Sequence, residues 1–172
     1  MFKERKIDLC VSGINHGSNA STNVIYSGTM SAATEAAMEG IDSIGFSLED
    51  FSMDADFSAA KHFARKIIAH ALEHGLGKAN LLNVNIPKLP LAEIKGVRVC
   101  RQAKGFWAED FVEAKDPQDR PYYWLTGRFE YQDKGEDNDI WALRNNYVSV
   151  VPVKYDLTNH KAIDSLKDLE NL

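Results

Sequence analysis

Several things are missing from this chain of 172 residues. No run of apolar residues is long enough to cross a bilayer. Residues 1–6 are charged and no long apolar stretch follows them, so the pattern of a secretory signal is absent and a cytoplasmic protein is expected. Basic runs are missing as well. With 20 Lys and Arg against 25 Asp and Glu, the formal charge is −5, and a nucleic-acid polymer would find no electrostatic drive to bind. A small phosphorylated ligand is not excluded, because backbone N–H groups and a metal can hold it locally. Cysteine is scarce: Cys10 and Cys100 lie far apart in apolar, strand-like surroundings and are expected to be buried, reduced thiols. There is no internal repeat, linker or low-complexity stretch.

What remains is ordinary globular composition, 44% hydrophobic and 26% charged, in a length that suits a single domain over residues 1–172. The first hundred residues alternate strand and helix patterns. Residues 7–12 read as a short buried strand with a loop from Gly13, and residues 28–39, rich in Ala and Met and ended by Gly40, as a helix. Residues 43–48 read as a second strand. A second helix is expected to begin near Asp54 or Asp56, with Phe57, Ala60, Ala64, Ile67, Ile68 and Ala71 on one face, and to stop at Gly75 and Gly77. Residues 81–86 form a strand closed by Pro87. This order implies right-handed crossovers and an α/β fold: a Rossmann-like, mainly parallel sheet with flanking helices.

Residues 101–146 differ. Trp107, Phe111, Tyr122, Tyr123, Trp124, Phe129 and Tyr131 are spread among charged residues, with turns at Asp116-Pro117 and Lys134-Gly135. An extended β-hairpin arm is expected there, following a strand-like piece at 97–101. Its aromatics suit either stacking on a nucleobase or burial in a subunit interface. Residues 147–172 should supply a strand at 147–153 and a terminal helix at 160–169.

The chemistry concentrates in Val11-Ser12-Gly13-Ile14-Asn15-His16-Gly17, running on through Asn19 to Tyr26-Ser27-Gly28-Thr29. A strand, a loop rich in Gly, Asn and Ser, and a helix follow one another. Ligands of open α/β sheets bind at the carboxyl ends of strands, where such loops gather. Ser27, Gly28 and Thr29 open the helix, where unpaired N–H groups and the dipole favour an anion, although plain N-capping has the same signature. Neither a Walker loop nor a dinucleotide fingerprint is present. The amide oxygen of Asn15 is a hard, neutral donor suited to Mg²⁺, Mn²⁺ or Ca²⁺, but a lone amide makes no metal site without carboxylates.

These segments closely resemble the core signature of the SurE family. The resemblance runs through Asp8-Leu9-Cys10-Val11-Ser12-Gly13-Ile14-Asn15-His16-Gly17-Ser18-Asn19, Tyr26-Ser27-Gly28-Thr29, Ser43-Ile44-Gly45-Phe46-Ser47, Leu82-Asn83-Val84-Asn85-Ile86-Pro87, Arg120-Pro121-Tyr122-Tyr123-Trp124 and Asn146-Tyr147-Val148-Ser149-Val150. It implies a divalent-metal phosphomonoesterase cleaving nucleoside 5′- and 3′-monophosphates. It assigns Asn15 to the metal, Asn19, Ser27, Gly28 and Thr29 to the phosphate, and the arm and C-terminal helix to dimers or tetramers. His16, in the same loop, is a possible substrate contact. Family members begin with a strand ending in adjacent aspartates, and this chain contains no Asp-Asp pair. The acidic ligands, and central strands of the sheet, are therefore expected in an N-terminal block outside it. No catalytic residue is identifiable within the chain, which alone should bind metal weakly and turn over little. The alternative is a catalytically inactive assembly module.

Two other groupings carry less. His70 and His74 share a helix face but lack a third ligand, and Asp137-Asn138-Asp139 lacks the Gly and distal Glu of a calcium loop, so a solvated helix end and a turn are expected.

Overall fold

In the computed structural model, which describes residues 5–172, five strands form one sheet and two more form a separate ribbon. Strand β1 (Cys10–His16), a short helix α1 (Asn23–Tyr26), α2 (Gly28–Met38), β2 (Ser43–Leu48), α3 (Ser58–His74) and β3 (Leu81–Ile86) make up the parallel half. Strands β4 (Gly96–Val99), β5 (Gly105–Lys115) and β6 (Pro121–Tyr131), helix α4 (Asp139–Arg144) and β7 (Tyr147–Pro152) follow. The sheet order is β1-β2-β3-β7-β4, with β7 antiparallel to β3 and parallel to β4. The sheet is thus mainly parallel and Rossmann-like, as expected, with two strands from the second half of the chain, β7 and β4, running opposite to β1, β2 and β3.

The period of two along β2 divides the sheet's faces. Ile44, Phe46 and Leu48 join Val84, Ile86, Val148 and Val150 in the main core, against Ala59, Ala60, Phe63 and Ala64 of α3. The other face carries Ser43, Gly45 and Ser47, small residues that let α2 come close. Met30 sits directly over Gly45, where any side chain would meet its sulfur. Neither cap candidate holds the N-cap position of α3, which is Phe57 without a side-chain bond, although Asp56 just before it accepts from the Ser58 N–H (2.8 Å).

Three boundaries differ from the sequence expectation, each for a physical reason. β1 does not end at Ser12 but runs through Asn15 to His16, because its register against β2 shifts between Ser12 and Asn15. Gly13 absorbs that shift with φ 104°, and a Cβ there would strike the Phe46 carbonyl oxygen. The hairpin proper occupies β5 and β6 alone. Residues beyond it return to the body as α4, whose Ile140, Ala142 and Leu143 are buried. Where an α-helix was expected at 160–169, a 3-10 helix runs from Asp164 to Asn171, and with Ile163, Leu166 and Leu169 exposed no packed face favours the α form.

Among the described residues β1 is an edge strand, with Val11 half exposed. Parallel strands are ordinarily covered on both sides. The arm is anchored at its root by Arg101, which pairs with both Asp133 and Asp137, and Lys104 donates its N–H to Asp133 (3.1 Å). No helix among the described residues is long and apolar enough to cross a membrane. Cys10 is half-buried and Cys100 buried, both free.

Replacing the fully buried Ile44 by Ala should cost about 2–5 kcal/mol, whereas Val11→Ala on the open edge should cost well under half as much. Urea unfolding midpoints of the two variants provide the comparison.

Candidate functional site

The buried interior of the sheet is not wholly apolar. Asn15 of β1 is in register with Ser47 of β2, Ser47 with Asn85 of β3, and Asn85 with Ser149 of β7. A polar row thus crosses four strands near the carboxyl ends of the parallel ones. Ser47, Asn83, Asn85 and Ser149 are essentially without solvent access, so each needs a protein partner.

The loop after β1 supplies those partners. Asn85 Oδ1 accepts from the Asn19 N–H (2.7 Å) and from Ser18 Oγ (3.3 Å), while its Nδ2 donates to Asn83 Oδ1 (3.0 Å). Asn83 Nδ2 in turn donates to the Asn19 carbonyl (2.8 Å), and Asn19 Nδ2 donates to Ser47 Oγ (2.7 Å). Among the described residues only Ser149 Oγ is left without a partner. Asp139 fixes the next stretch of the loop. Its carboxylate, fully buried, accepts from the N–H groups of Ser21 (2.8 Å), Ala103 (2.9 Å) and Ile140 (2.9 Å). Burial raises its pKa, and those three donors oppose the rise. The triplet expected to form a simple turn is therefore a fastener between the loop, the arm root and α4, with Asn138 capping α4 through the Trp141 N–H (2.8 Å).

Above this floor opens a cleft of about 550 Å³. Asn15, Asn19 and Ser27 line it together. Asn15 Nδ2 donates to the carbonyls of His16 and Gly17 (3.0 Å each), which turns its Oδ1 into an acceptor without a partner among the described residues. Ser27 Oγ accepts from the Met30 N–H (3.0 Å) as the N-cap of α2 and keeps its hydroxyl hydrogen as a donor. Gly28 and Thr29 open α2 directly behind Ser27 but are not part of the lining. His16 also stays out of it, its ring edge-on to Phe57 at 4.8 Å.

Of the rest of the cleft, sequence reasoning had singled out only Trp107, among the arm aromatics suited to a nucleobase or to a subunit interface. Phe51, Asn23, Trp107 and Glu109 line it, brought there by the loop after β2, by α1 and by the arm root. Phe51 lies over Gly17, where any side chain would collide with its ring. Behind it, Asp50 accepts from the Ser52 N–H (2.9 Å) and pairs with Lys88 (2.9 Å), which together hold its carboxyl down at about 2. The alternation Asn83-Val84-Asn85 inside a buried strand was the available signal for the floor. For Phe51 there was none, and for Trp107 only the aromatic composition of the arm, since its place depends on where the hairpin folds back.

A divalent cation needs several oxygens, carboxylates foremost. The described residues bring Asn15 Oδ1 to this place, and among them no cluster of three His, Cys, Asp or Glu side chains stands anywhere, His70 and His74 included. This set alone does not make a divalent site.

Residues 1–109 match the protein family described as survival protein SurE. The chain is similar to proteins named 5′-nucleotidase SurE from Flavobacterium johnsoniae (58% identical over 163 residues, 95% of this chain and 63% of that one). Another so named, from Christiangramia forsetii, is 59% identical over 162 residues, 94% of this chain and 62% of that one. Its structure resembles the crystal structure of the SurE protein from Aquifex aeolicus, with TM-score 0.82 at 40% identity, covering 98% of this chain and 67% of that one. The chain therefore spans less than two thirds of the length of these curated relatives.

Asn85→Ala should cost about 2–4 kcal/mol in chemical denaturation, because it strands the Asn19 N–H and Asn83 Oδ1 in the interior. Asp50 gives a pH signature. Its folded pKa lies below the ordinary 3.8, so the stability it adds is complete above about pH 4 and disappears as pH falls toward 2. Asp50→Asn should be less stable at neutral pH and show a shallower loss between pH 4 and 2, read from melting temperatures across that range.

Proposed function

Because the chain belongs to the SurE family of survival proteins, we propose that it is the body of a metal-dependent phosphomonoesterase hydrolysing nucleoside 5′- and 3′-monophosphates to nucleoside and phosphate. The observation that carries this reading is the meeting of Asn15, Asn19 and Ser27 in one cleft, where a parallel strand ends and a helix begins. A phosphate placed there meets the hydroxyl of Ser27 and the amide of Asn19, with the N-terminus of α2, opened by Gly28 and Thr29, directly behind them. Donors held in fixed positions by the buried asparagines need not reorganise as negative charge develops on the phosphoryl oxygens, and that is where such donors assist most.

The divalent metal, Mg²⁺, Mn²⁺ or Ca²⁺, would take Asn15 Oδ1 as one neutral ligand and its acidic ligands from sequence outside these residues. Ser21, Asn83, Asn85 and Asp139 act as positioning residues, and His16 is a residue of the loop without a contact to the cleft.

Self-association into dimers or tetramers follows from the arm. Phe111, Tyr123, Trp124 and Leu125 are each more than half exposed on a two-stranded ribbon, and such a ribbon, with aromatics on both faces, is marginal in water unless they are covered. The setting is the cytoplasm, with neither a membrane nor a nucleic-acid polymer as partner. An inactive assembly module is less well supported, since the similar proteins are named as nucleotidases.

Release of inorganic phosphate from AMP and GMP, with and without Mn²⁺ or Mg²⁺, tests the reading. The 172-residue chain should be nearly silent. A version carrying the further length of its relatives should be active only with metal, and Asn15→Ala should lower that activity on the order of 100-fold or more. Metal-dependent turnover by the shorter chain would place the acidic ligands inside it and overturn that part of the reading.

A further inference from the structure

Of the five histidines, His16 packs on Phe57, His62 on Phe63, and His160 pairs with Asp156. The other two meet each other. The rings of His70 and His74 lie 4.6 Å apart, tilted by 56°, in the last turns of α3. Residues four apart on a helix share a face, and both of these are exposed. The opposite face of this 17-residue helix is fixed to the main core by Ala60, Phe63, Ala64 and Ala71. The backbone that spaces the two rings is therefore already ordered, and two imidazoles can close on one ion with few torsions left to fix. Two further features favour a cation there. Glu73 brings its carboxylate to 3.7 Å from His74 Nε2, and a nitrogen and an oxygen that bind one tetrahedral zinc stand roughly 3.3 Å apart. The pair also sits where the helix ends at Gly75, and the unpaired carbonyls of a last turn form the negative end of the dipole.

We propose that His70 and His74 form a surface site for a late first-row divalent ion, Zn²⁺, Ni²⁺ or Cu²⁺, with Glu73 beside it and water in the remaining positions. Since no cluster of three His, Cys, Asp or Glu side chains stands among the described residues, the site is open and exchangeable, unlike a closed structural zinc. Its chemistry differs from that of an ion in the cleft. Imidazole suits the late ions, whereas Mg²⁺ and Ca²⁺ take oxygens. Its place differs too. α3 runs from Ser58 back to His74 and hands the chain to β3 at Leu81, the amino end of the parallel strands, while the cleft opens at their carboxyl ends. An ion held here touches no substrate. It joins two successive turns of α3 and resists fraying of the helix end that packs Ile67, Ile68 and Ala71 onto the sheet. The site stands whether or not the cleft hydrolyses phosphomonoesters.

Isothermal titration of the 172-residue chain with zinc chloride and with nickel chloride, each in an excess of Mg²⁺, tests the site. A saturable ion should bind despite the Mg²⁺. His70→Ala and His74→Ala should each weaken it by about tenfold or more, at least what loss of a group supporting a ligand costs. His62→Ala and His160→Ala should bind like the parent. His70 and His74 are exposed, so their variants fold, which far-ultraviolet circular dichroism checks. With Cu²⁺, electron paramagnetic resonance should show coupling to a pair of imidazole nitrogens, reduced to a single one in either variant. Zn²⁺ should also raise the melting temperature of the parent, because it binds the folded chain, and leave that of the His70→Ala, His74→Ala double variant unchanged. Absence of saturable binding, parent-like affinity in both single variants, or an equal loss in His62→Ala or His160→Ala would overturn the site.

Discussion

Two asparagines sit in the middle of β3 with almost no solvent access, and everything at the cleft follows from how they are satisfied. An amide sealed in a sheet without partners costs several kcal/mol. Neighbouring strands cannot meet that need, because their backbone groups are already used in the ladder. Asn83 and Asn85 therefore draw the loop after β1 down onto the sheet, through both the N–H and the carbonyl of Asn19. A loop rich in Gly and Ser, which by composition has many conformations open to it, is left with one. The rigidity of the donors that line the cleft is borrowed from the interior, and the small side chains of β2 beneath α2 make room for the arrangement.

The arm root is a second consequence of a buried polar group. Asp139 is kept as an acceptor by three backbone N–H groups from separate stretches of chain, so the loop, the start of the arm and α4 share one anchor. Arg101, between Asp133 and Asp137, closes the same root from outside. That is why Gly105, Phe106 and Trp107 reach the cleft at all. The hairpin beyond them is free to be long, exposed and aromatic, since its position is decided below Gly105 and not along its ribbon.

Much of the fold was legible because the strongest sequence signals are local. β2 and β3 fall where the apolar runs ended by charge and Pro87 put them, and α2 lies between Ser27 and Gly40 as its caps predict. Asn15, Asn19 and Ser27 stood out as members of one stretch, with roles drawn from the family resemblance, and all three line the cleft. What was not legible depends on partners distant in sequence. The extension of β1 through Asn15 rests on a register shift against β2. The insertion of β7 between β3 and β4 rests on pairings no periodicity records. Asp137-Asn138-Asp139 read as a turn because nothing nearby shows that Ser21 and Ala103 will arrive to bury the last of the three.

The anchor at Asp139 also has a meaning in time. Its bond to the Ser21 N–H closes a separation of 118 residues, and the bond from Ser18 to Asn85 closes 67. Contacts of such reach form late, since the chain entropy between their ends must be surrendered before they return anything. As the polypeptide leaves the ribosome, strands β1 to β3 can pair while the loop above them still lacks its fastener. The cleft closes into shape only after residue 139 has emerged, so a chain still short of it would carry strands β1 to β3 without the cleft above them.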